Sequence, residues 1–447
     1  MSFGEDVATL VSESKDPLLA AADGWERIPL GAVATILNGF PWKSEHFGKS
    51  TGVPLIRIRD VTTGATETLY EGPITDGYWV EPGDLLVGMD GDFNVRRWQT
   101  ERGLLNQRVC KVTADPDRYS TTFLEYVLPS YLQLVNHMTS SVTVKHLSSR
   151  TLADLPLPLP PAAEQRRIVA KLDALTARLA RARAELDRVQ VLAQSLRLKA
   201  IRATFASYAG APRHRVDALC SVGTGATPKR GESRYYGGGK IPWVTSGAVN
   251  SGNVMTPTEL ITEAAIKETN CKVYPAGSLI MALYGEGKTR GKVATLGINA
   301  ATNQALAVLH SFAAEIVETE WIKLFLDARY EETRAEAAGG VQPNLNLGIV
   351  KSIQISVPSL DAQRSSIVAL GAAFTRADRL EAEAARARAL LDRLESAILA
   401  KAFRGELVPQ DPNDEPASVL LDRIRAQRAA APKPKRSKVR PQPEPAA

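Results

Sequence analysis

Cysteine is scarce in this 447-residue chain: Cys110, Cys220 and Cys271 are odd in number and widely separated. That excludes a disulfide framework and a cysteine zinc site, and it suits a reduced compartment. Histidine is equally thin. His46, His137, His146, His214 and His310 are scattered, so no metal is assigned. Neither sign of charge dominates, since 55 Lys and Arg against 49 Asp and Glu leave only +6, which points to a nucleic-acid partner only where the excess is local. No apolar run approaches a membrane span, and residues 1–24 carry acids early without the basic-then-apolar order of a signal peptide. The expectation is a soluble, cytoplasmic protein.

Catalytic signatures are missing as well. Ala282-Leu-Tyr-Gly-Glu-Gly-Lys-Thr289 approaches a phosphate-binding P-loop, but Ala282 replaces the first glycine, and Arg290-Gly-Lys-Val-Ala-Thr-Leu296 reads as a strand where that motif needs a helix. There is no Pro-Pro-aromatic adenine-methyltransferase motif, no Rossmann glycine pattern and no Ser, His, Asp set at an interpretable spacing. A chain without chemistry of its own, binding no cofactor, is expected.

What the chain does have is one long helix, twice. Over 163–208 apolar residues fall at Ile168, Leu172, Leu175, Leu179, Ala182, Leu186, Val189, Ala193, Leu196, Ala200 and Ala203, alternating steps of four and three. A period of 3.5 keeps a narrow seam facing one partner helix, whereas a helix lying on a globular core shows a broader stripe of period 3.6. Over 359–404 the second helix carries Ile367, Leu370, Phe374, Ala377, Leu380, Ala384, Ala387, Leu391, Leu394 and Ile398, with a three-residue slip near Ala377. The two are copies: Pro160 matches Pro358, and Gln165/Gln363 and Phe205/Phe403 both differ by 198. The chain is therefore a tandem duplication, each half a globular region followed by a long helix.

The globular regions read as mixed α/β. In the first, 53–59, 84–88 and 107–112 are short β-branched runs bounded by turns, and a helix is expected near 120–138. In the second, Pro242–Val249 answers Pro54–Val61, Pro275–Ile280 answers Pro82–Leu86, Asn303-Gln304 answers Asn106-Gln107, and a helix is expected near 320–336. These offsets run from 188 to 197, so the domains have diverged while the helices kept register. The boundaries expected are an N-terminal extension 1–22, a first domain 23–160, a helix 161–208, a second domain 209–358, a second helix 359–408, and 409–447. The last segment should hold a short helix, capped at 413–416, with Val419, Leu420 and Ile424 on its apolar face. A Pro- and Lys/Arg-rich tail that cannot bury a core should follow.

Gly24-Trp-Glu-Arg-Ile-Pro-Leu-Gly31, Leu157-Pro-Leu-Pro-Pro161 with Glu164-Gln165, Thr224-Gly-Ala-Thr-Pro228, Tyr235-Tyr-Gly-Gly238, Ile241-Pro-Trp-Val244 and Phe403–Pro412 stand in an order that resembles the specificity subunit of type I restriction-modification enzymes. The resemblance covers nearly the whole chain. Two departures stand out: Ser359–Gln363 keeps the Gln but not the Glu of the first copy, and the first domain lacks the Thr-Gly-Ala-Thr-Pro run. The resemblance implies an α+β fold with two tandem target recognition domains, an antiparallel coiled coil of the two helices, and pseudo-two-fold symmetry. It implies a bipartite, asymmetric double-stranded DNA site, one domain per half-site, with the coiled coil setting the gap. It also implies partners: modification subunits, two by the layout, and restriction subunits, on which S-adenosylmethionine, ATP and Mg would act. Helix length suits this, since about forty residues span on the order of 60 Å, and equivalent groove faces recur roughly every 34 to 36 Å.

The DNA-contact candidates in the first domain are Trp42 and Lys43 in a turn, Arg57 and Arg59 alternating on a strand, and Asn94, Arg96 and Arg97 in a Gly-flanked loop. In the second they are Lys229, Arg230, Tyr284, Lys288, Thr289, Arg290, Lys292, Gln342 and Asn344. Arg97 and Asn94 suit guanine and adenine edges, whereas Lys43 suits phosphate. For any one of them a solvated surface charge or an ion pair is the alternative. Off-seam Leu192, Leu198, Ile201, Leu390 and Leu399 suggest that the helices join a bundle larger than two. Two other readings stay open: the recognition subunit of a two-subunit methylating and cutting enzyme, and a two-headed protein-binding scaffold.

Overall fold

The computed structural model describes residues 3–138, 146–284, 289–333 and 345–430. The chain divides into two compact units, Met1–Arg183 with Arg388–Ala447, and Ala184–Ala387. The fold is α+β throughout, and among the described residues no helix is long and apolar enough to cross a membrane.

In the first unit the strand Glu26–Pro29 pairs antiparallel with Pro156–Leu159, closing the domain at the point where the chain leaves for the long helix. A four-stranded sheet runs in the order Ala34–Asn38, Val109–Ala114, Leu85–Gly88, Val95–Arg97. A second, five-stranded sheet contains the parallel pair Val53–Ile56 and Gly103–Leu105. The helix Thr121–Met138 lies close to the expected span; its buried Phe123, Leu124, Val127, Leu128, Tyr131 and Leu132 recur at the spacing of one helical face. The strand expected over 53–59 stops at Ile56, and Ile58–Thr63 is a helix whose entry is fixed by the Arg57 N–H donating to Asp60 Oδ2 at 2.8 Å.

The second unit repeats this plan. Arg213–Arg215 pairs with Gln354–Ser356. Its five-stranded sheet runs Ser221–Thr224, Leu306–His310, Leu279–Ala282, Val293–Leu296, Asn253–Val254, and its second sheet holds the parallel pair Ile241–Val244 and Ala300–Thr302. The helix expected from 320 begins at Thr319. Val293–Leu296 is a strand, as its sequence indicates.

The long helices span Ala162–Ser207 and Leu360–Phe403 and pack together. Each begins with the same joint. Gln165 is buried; its Oε1 accepts from Ser120 N at 2.8 Å, and its Nε2 donates to Pro160 O and Arg118 O. Gln363 is buried too; its Oε1 accepts from Glu318 N at 2.9 Å, and its Nε2 donates to Pro358 O and Ile316 O. All four positions shift by 198, so the duplication preserved a hydrogen-bonded hinge atom for atom. Each far end is an aromatic plug. Phe403 packs edge-on against Phe123 at 6.3 Å in the first unit, and Phe205 packs on Trp321 at 4.4 Å in the second. Phe123 and Trp321 are again 198 apart.

The departures noted in the motifs have local causes. Trp25 Nε1 donates to Glu164 Oε2 at 3.1 Å. By strand register Ala211 stands where Trp25 does, so a carboxylate at Ala362 would have no such donor. Gly225 of the Thr-Gly-Ala-Thr-Pro run lies so close to Thr302 O that a Cβ would come within 1.7 Å. Gly39, in Asn38-Gly39-Phe40-Pro41, meets Asn106 O in the same way at 2.0 Å. One backbone contact is thus served by two different sequences.

Burial along the expected seam is uneven. Ile168, Leu172, Leu179, Ala193, Leu370, Ala377 and Ala384 are buried; Leu175, Leu186, Val189, Ile367, Phe374, Leu391 and Ile398 are half-buried. Leu196, Leu380 and Leu394 are instead 46%, 49% and 49% exposed. Ile201, placed off the seam, is buried with Leu324, Ala328 and Leu370. It lies eight residues after Ala193, a 3.6-type spacing, because a straight helix drifts off a 3.5 repeat and this end must also face its domain. At the C-terminal end the helix Ala417–Ala430 buries Leu420, Leu421 and Ile424 among the first unit's core residues, with Val7 and Val11 of the helix Phe3–Glu13. Val419 is exposed, so Leu421 takes the place expected for it.

Candidate nucleic-acid interface

In each unit one hairpin, Leu85–Gly88 with Val95–Arg97 in the first and Leu279–Ala282 with Val293–Leu296 in the second, is tied to the short helix that follows a parallel strand. In the first, Arg96 donates through Nε to Val61 O and through Nη2 to Thr62 O, both at 2.6 Å, gripping the last carbonyls of Ile58–Thr63. In the second, Lys292 Nζ donates to Asn250 Oδ1 at 2.7 Å, and Asn250 lies in the short helix Ser246–Ser251. The same corner is built twice with different chemistry.

Around the first corner the candidates separate. Trp42 is not a surface contact: it is 5% exposed, packs with Phe40, Tyr70 and Tyr78, and donates Nε1–H to Leu105 O at 3.0 Å. The neighbouring Lys43 is in solvent, with Glu45 at 3.7 Å. Arg57 and Arg59 do not alternate on a strand. Arg57 precedes the helix and lies 5.6 Å from the Phe47 ring, while the exposed Arg59 reaches Thr68 at 2.8 Å and Asp60 at 3.5 Å. Arg97, favoured as a base reader, faces inward; Glu125 takes its Nε at 2.8 Å and Thr122 its Nη2 at 2.9 Å. Asn94 is exposed in a turn strained by Phe93, a non-glycine residue at φ 51°. Asp92, Phe93 and Asn94 border an open cleft whose far wall is Pro129, Gln133, Asn136 and His137.

In the second unit Arg230 donates twice to Glu259, at 2.9 and 2.6 Å, with its guanidinium 5.1 Å from Tyr236 and 5.3 Å from Trp243. Lys229 is exposed beside Glu232 at 3.7 Å. Arg234, not nominated from sequence, joins this cluster over Tyr235 at 5.0 Å and bonds Glu268 at 3.0 Å. The signal was present in the interleaving of Lys229, Arg230 and Arg234 with Tyr235 and Tyr236. Tyr284 is 41% exposed, Thr289 and Arg290 are half-buried, and the Arg290 Nε is enclosed by protein. Lys288, Gln342 and Asn344 lie outside the described residues. In the first unit Arg102, also missed, stacks 4.0 Å over Trp79 while bonding Glu81 at 2.7 Å. Nothing in the local sequence announces that pair.

In each unit the geometry describes a surface that presents cations, aromatic faces and amides. The family model for the type I restriction modification DNA specificity domain matches the chain twice, over residues 22–189 and 214–383. The chain belongs to the type I restriction-modification DNA specificity family. The type I restriction enzyme EcoBI specificity subunit of Escherichia coli is 34% identical over 477 residues, covering 96% of this chain and 98% of the relative. The EcoKI specificity subunit of Escherichia coli (strain K12) is 22% identical, covering 92% and 96%. A solved structure from work on complex assembly and conformational transition of the type I R-M system is 21% identical, with a TM-score of 0.65, covering 87% of this chain and 99% of that one. It shares the fold.

Proposed function

We propose that this specificity subunit reads a split, asymmetric double-stranded DNA site. Each domain takes one half-site, and the paired helices set the unread gap. One observation carries the reading: the two units keep the same joints and the same hairpin corner, yet the side chains at the corners differ. A conserved frame with divergent tips is what two readers of dissimilar sequence need, because the frame fixes position on the phosphates and the tips read base edges. Lys43, Arg59 and Asn94 in the first domain, and Lys229, Arg230, Arg234 and Lys292 in the second, are the groups best placed for this.

Methylation and cleavage would be directed in partner modification and restriction subunits, which bring S-adenosylmethionine, ATP and Mg; this chain contributes no chemistry. Leu192 and Leu390, 65% and 61% exposed and 198 apart, support packing of two modification subunits on the helices. The test is to express the chain with its methyltransferase partner in an unmethylated host and map modified adenines. Two dissimilar half-sites at one constant spacing are expected, with replacement of residues 25–155 changing one half only. A heptad added to both helices should lengthen the gap and leave both halves intact. Methylation that is the same without this chain would overturn the reading.

A further inference from the structure

The flanks of the helix pair carry a charge pattern that the duplication makes legible. In the first unit Arg183 donates to Asp392 at 2.6 Å and to Glu395 at 2.7 Å. In the second unit Arg197 donates to Asp378 and, through both nitrogens, to Glu381 at 2.9 and 2.7 Å. Both arginines are mostly covered, with side chains 26% and 23% exposed. In both clamps the paired residue numbers add to 575 and 578, so they report one antiparallel register. With an offset of 198, the copy of Arg183 is Glu381 and the copy of Arg197 is Glu395. At these two positions the first helix carries a cation and the second an acid, whereas Arg178, Arg181 and Arg188 keep their sign in Arg376, Arg379 and Arg386. The other two acids, Asp378 and Asp392, stand where the first helix has the uncharged Ala180 and Gln194.

The consequence follows from the register. Two first helices paired in this way would set Arg183 against Gln194 and Arg197 of the other copy, and would do so twice. Two second helices would set Glu381 against Asp392 and Glu395, also twice. Only the unlike pair places Arg183 and Arg197 each between two acids. The seam contributes packing of its own, since Leu179, Leu186 and Ala193 answer Ala377, Ala384 and Leu391 at the same offset, so the charge contribution is isolated by changing the flanks alone. Like charges on the flanks of a coiled coil select against a wrong partner at little cost to the right one.

We propose that Arg183 and Arg197 are a pairing code, making the first long helix a partner for the second and a poor partner for a further copy of itself. A protein made of two copies of one domain and helix needs such a device, since otherwise chains join through identical helices into assemblies with the same half-site at both ends. This inference rests on the helix pairing alone and is independent of what the domains read.

The test uses the full chain carrying Val189→Cys and Ala387→Cys. These positions are half-buried on the seam and opposed in the observed register, and the native thiols are buried. Oxidation should link them within one chain, seen as a faster-migrating single-chain band. Val189→Cys alone should give only traces of two-chain product, because position 189 meets its own copy only when two first helices pair. Arg183→Glu with Arg197→Glu should lower the intrachain link at least about threefold, and adding Glu381→Arg and Glu395→Arg should restore it. An intrachain link indifferent to the reversal would overturn the proposal, as would a loss that the fourfold exchange does not repair, or Val189→Cys alone joining chains as readily as the pair closes. Should the reversed chain fail to fold, the fourfold exchange still decides, since only a charge effect is repaired by opposite charge.

Discussion

Replacing Gln363 by leucine keeps its approximate size and removes one amide that holds three backbone groups. Gln363 is 0% exposed; its oxygen accepts the Glu318 N–H at the start of the helix Thr319–Ala328, and its nitrogen donates to Ile316 O and Pro358 O. Leucine supplies neither function, and no rotamer change reaches these groups from elsewhere on the helix. A net hydrogen bond contributes about 1 kcal/mol and each buried group left without a partner costs about 1–3 kcal/mol, so the expected loss is about 3–5 kcal/mol. The assay is urea denaturation of the full chain followed by the fluorescence of Trp321, the other five tryptophans being replaced by Phe in the reference and variant alike. The chain has two units, so the midpoint of the Trp321 transition is read rather than a single global value. Gln165→Leu should leave that midpoint in place and destabilise the first unit by a similar amount. A loss below about 1 kcal/mol at Gln363 would refute the view that these joints fix each domain to its helix.

Phe403→Ala should cost about 3–5 kcal/mol, because the ring is 1% exposed and packs on Phe123; a melting temperature within a degree of the parent would refute the plug. Acid should loosen the helix pair and the C-terminal contact. Hydrogen bonds from Arg197 hold the Glu381 carboxyl below its ordinary range, and those from Arg167 do the same for Asp414. With folded values lowered, that stabilisation is complete above the ordinary carboxylate range and lost as pH falls through the lowered values. Melts between pH 7 and pH 3 should show it, and Arg197→Gln should remove the Glu381 share. Burial pushes the Cys110 and Cys220 thiols up to about 12, so a thiol reagent at pH 8 should label them only after denaturation. Lys229→Ala should lower the slope of log affinity against log salt by about one on any DNA sequence, since a single phosphate contact releases about one counterion.

Arg97 shows where reading the sequence stops. Its place in a Gly-flanked basic loop is visible in the chain, but the carboxylate that captures it comes from Glu125, on a helix assigned correctly from its own period. Trp42 is similar: a Trp-Lys pair in a turn looks like a displayed contact until Phe40, Tyr70 and Tyr78 close around the ring. Conversely, the stacking of Arg102 on Trp79 is invisible, because Arg102 precedes the strand Gly103–Leu105 and only the pairing of that strand with Trp79–Val80 brings the two together.

The sequence by itself determined the duplication, the place of both long helices, with the second ending at Phe403 rather than at the expected 408, and the family. These depend on local periodicity and on matches at a fixed offset, and both survive without knowledge of the fold. Tertiary structure alone decided which cations face solvent and which are held, where the seam yields to the wider stripe at Ile201, and how Gln165 and Gln363 build the same joint. Each depends on groups far apart in the chain meeting within hydrogen-bonding or contact distance, and chain spacing carries no record of that meeting.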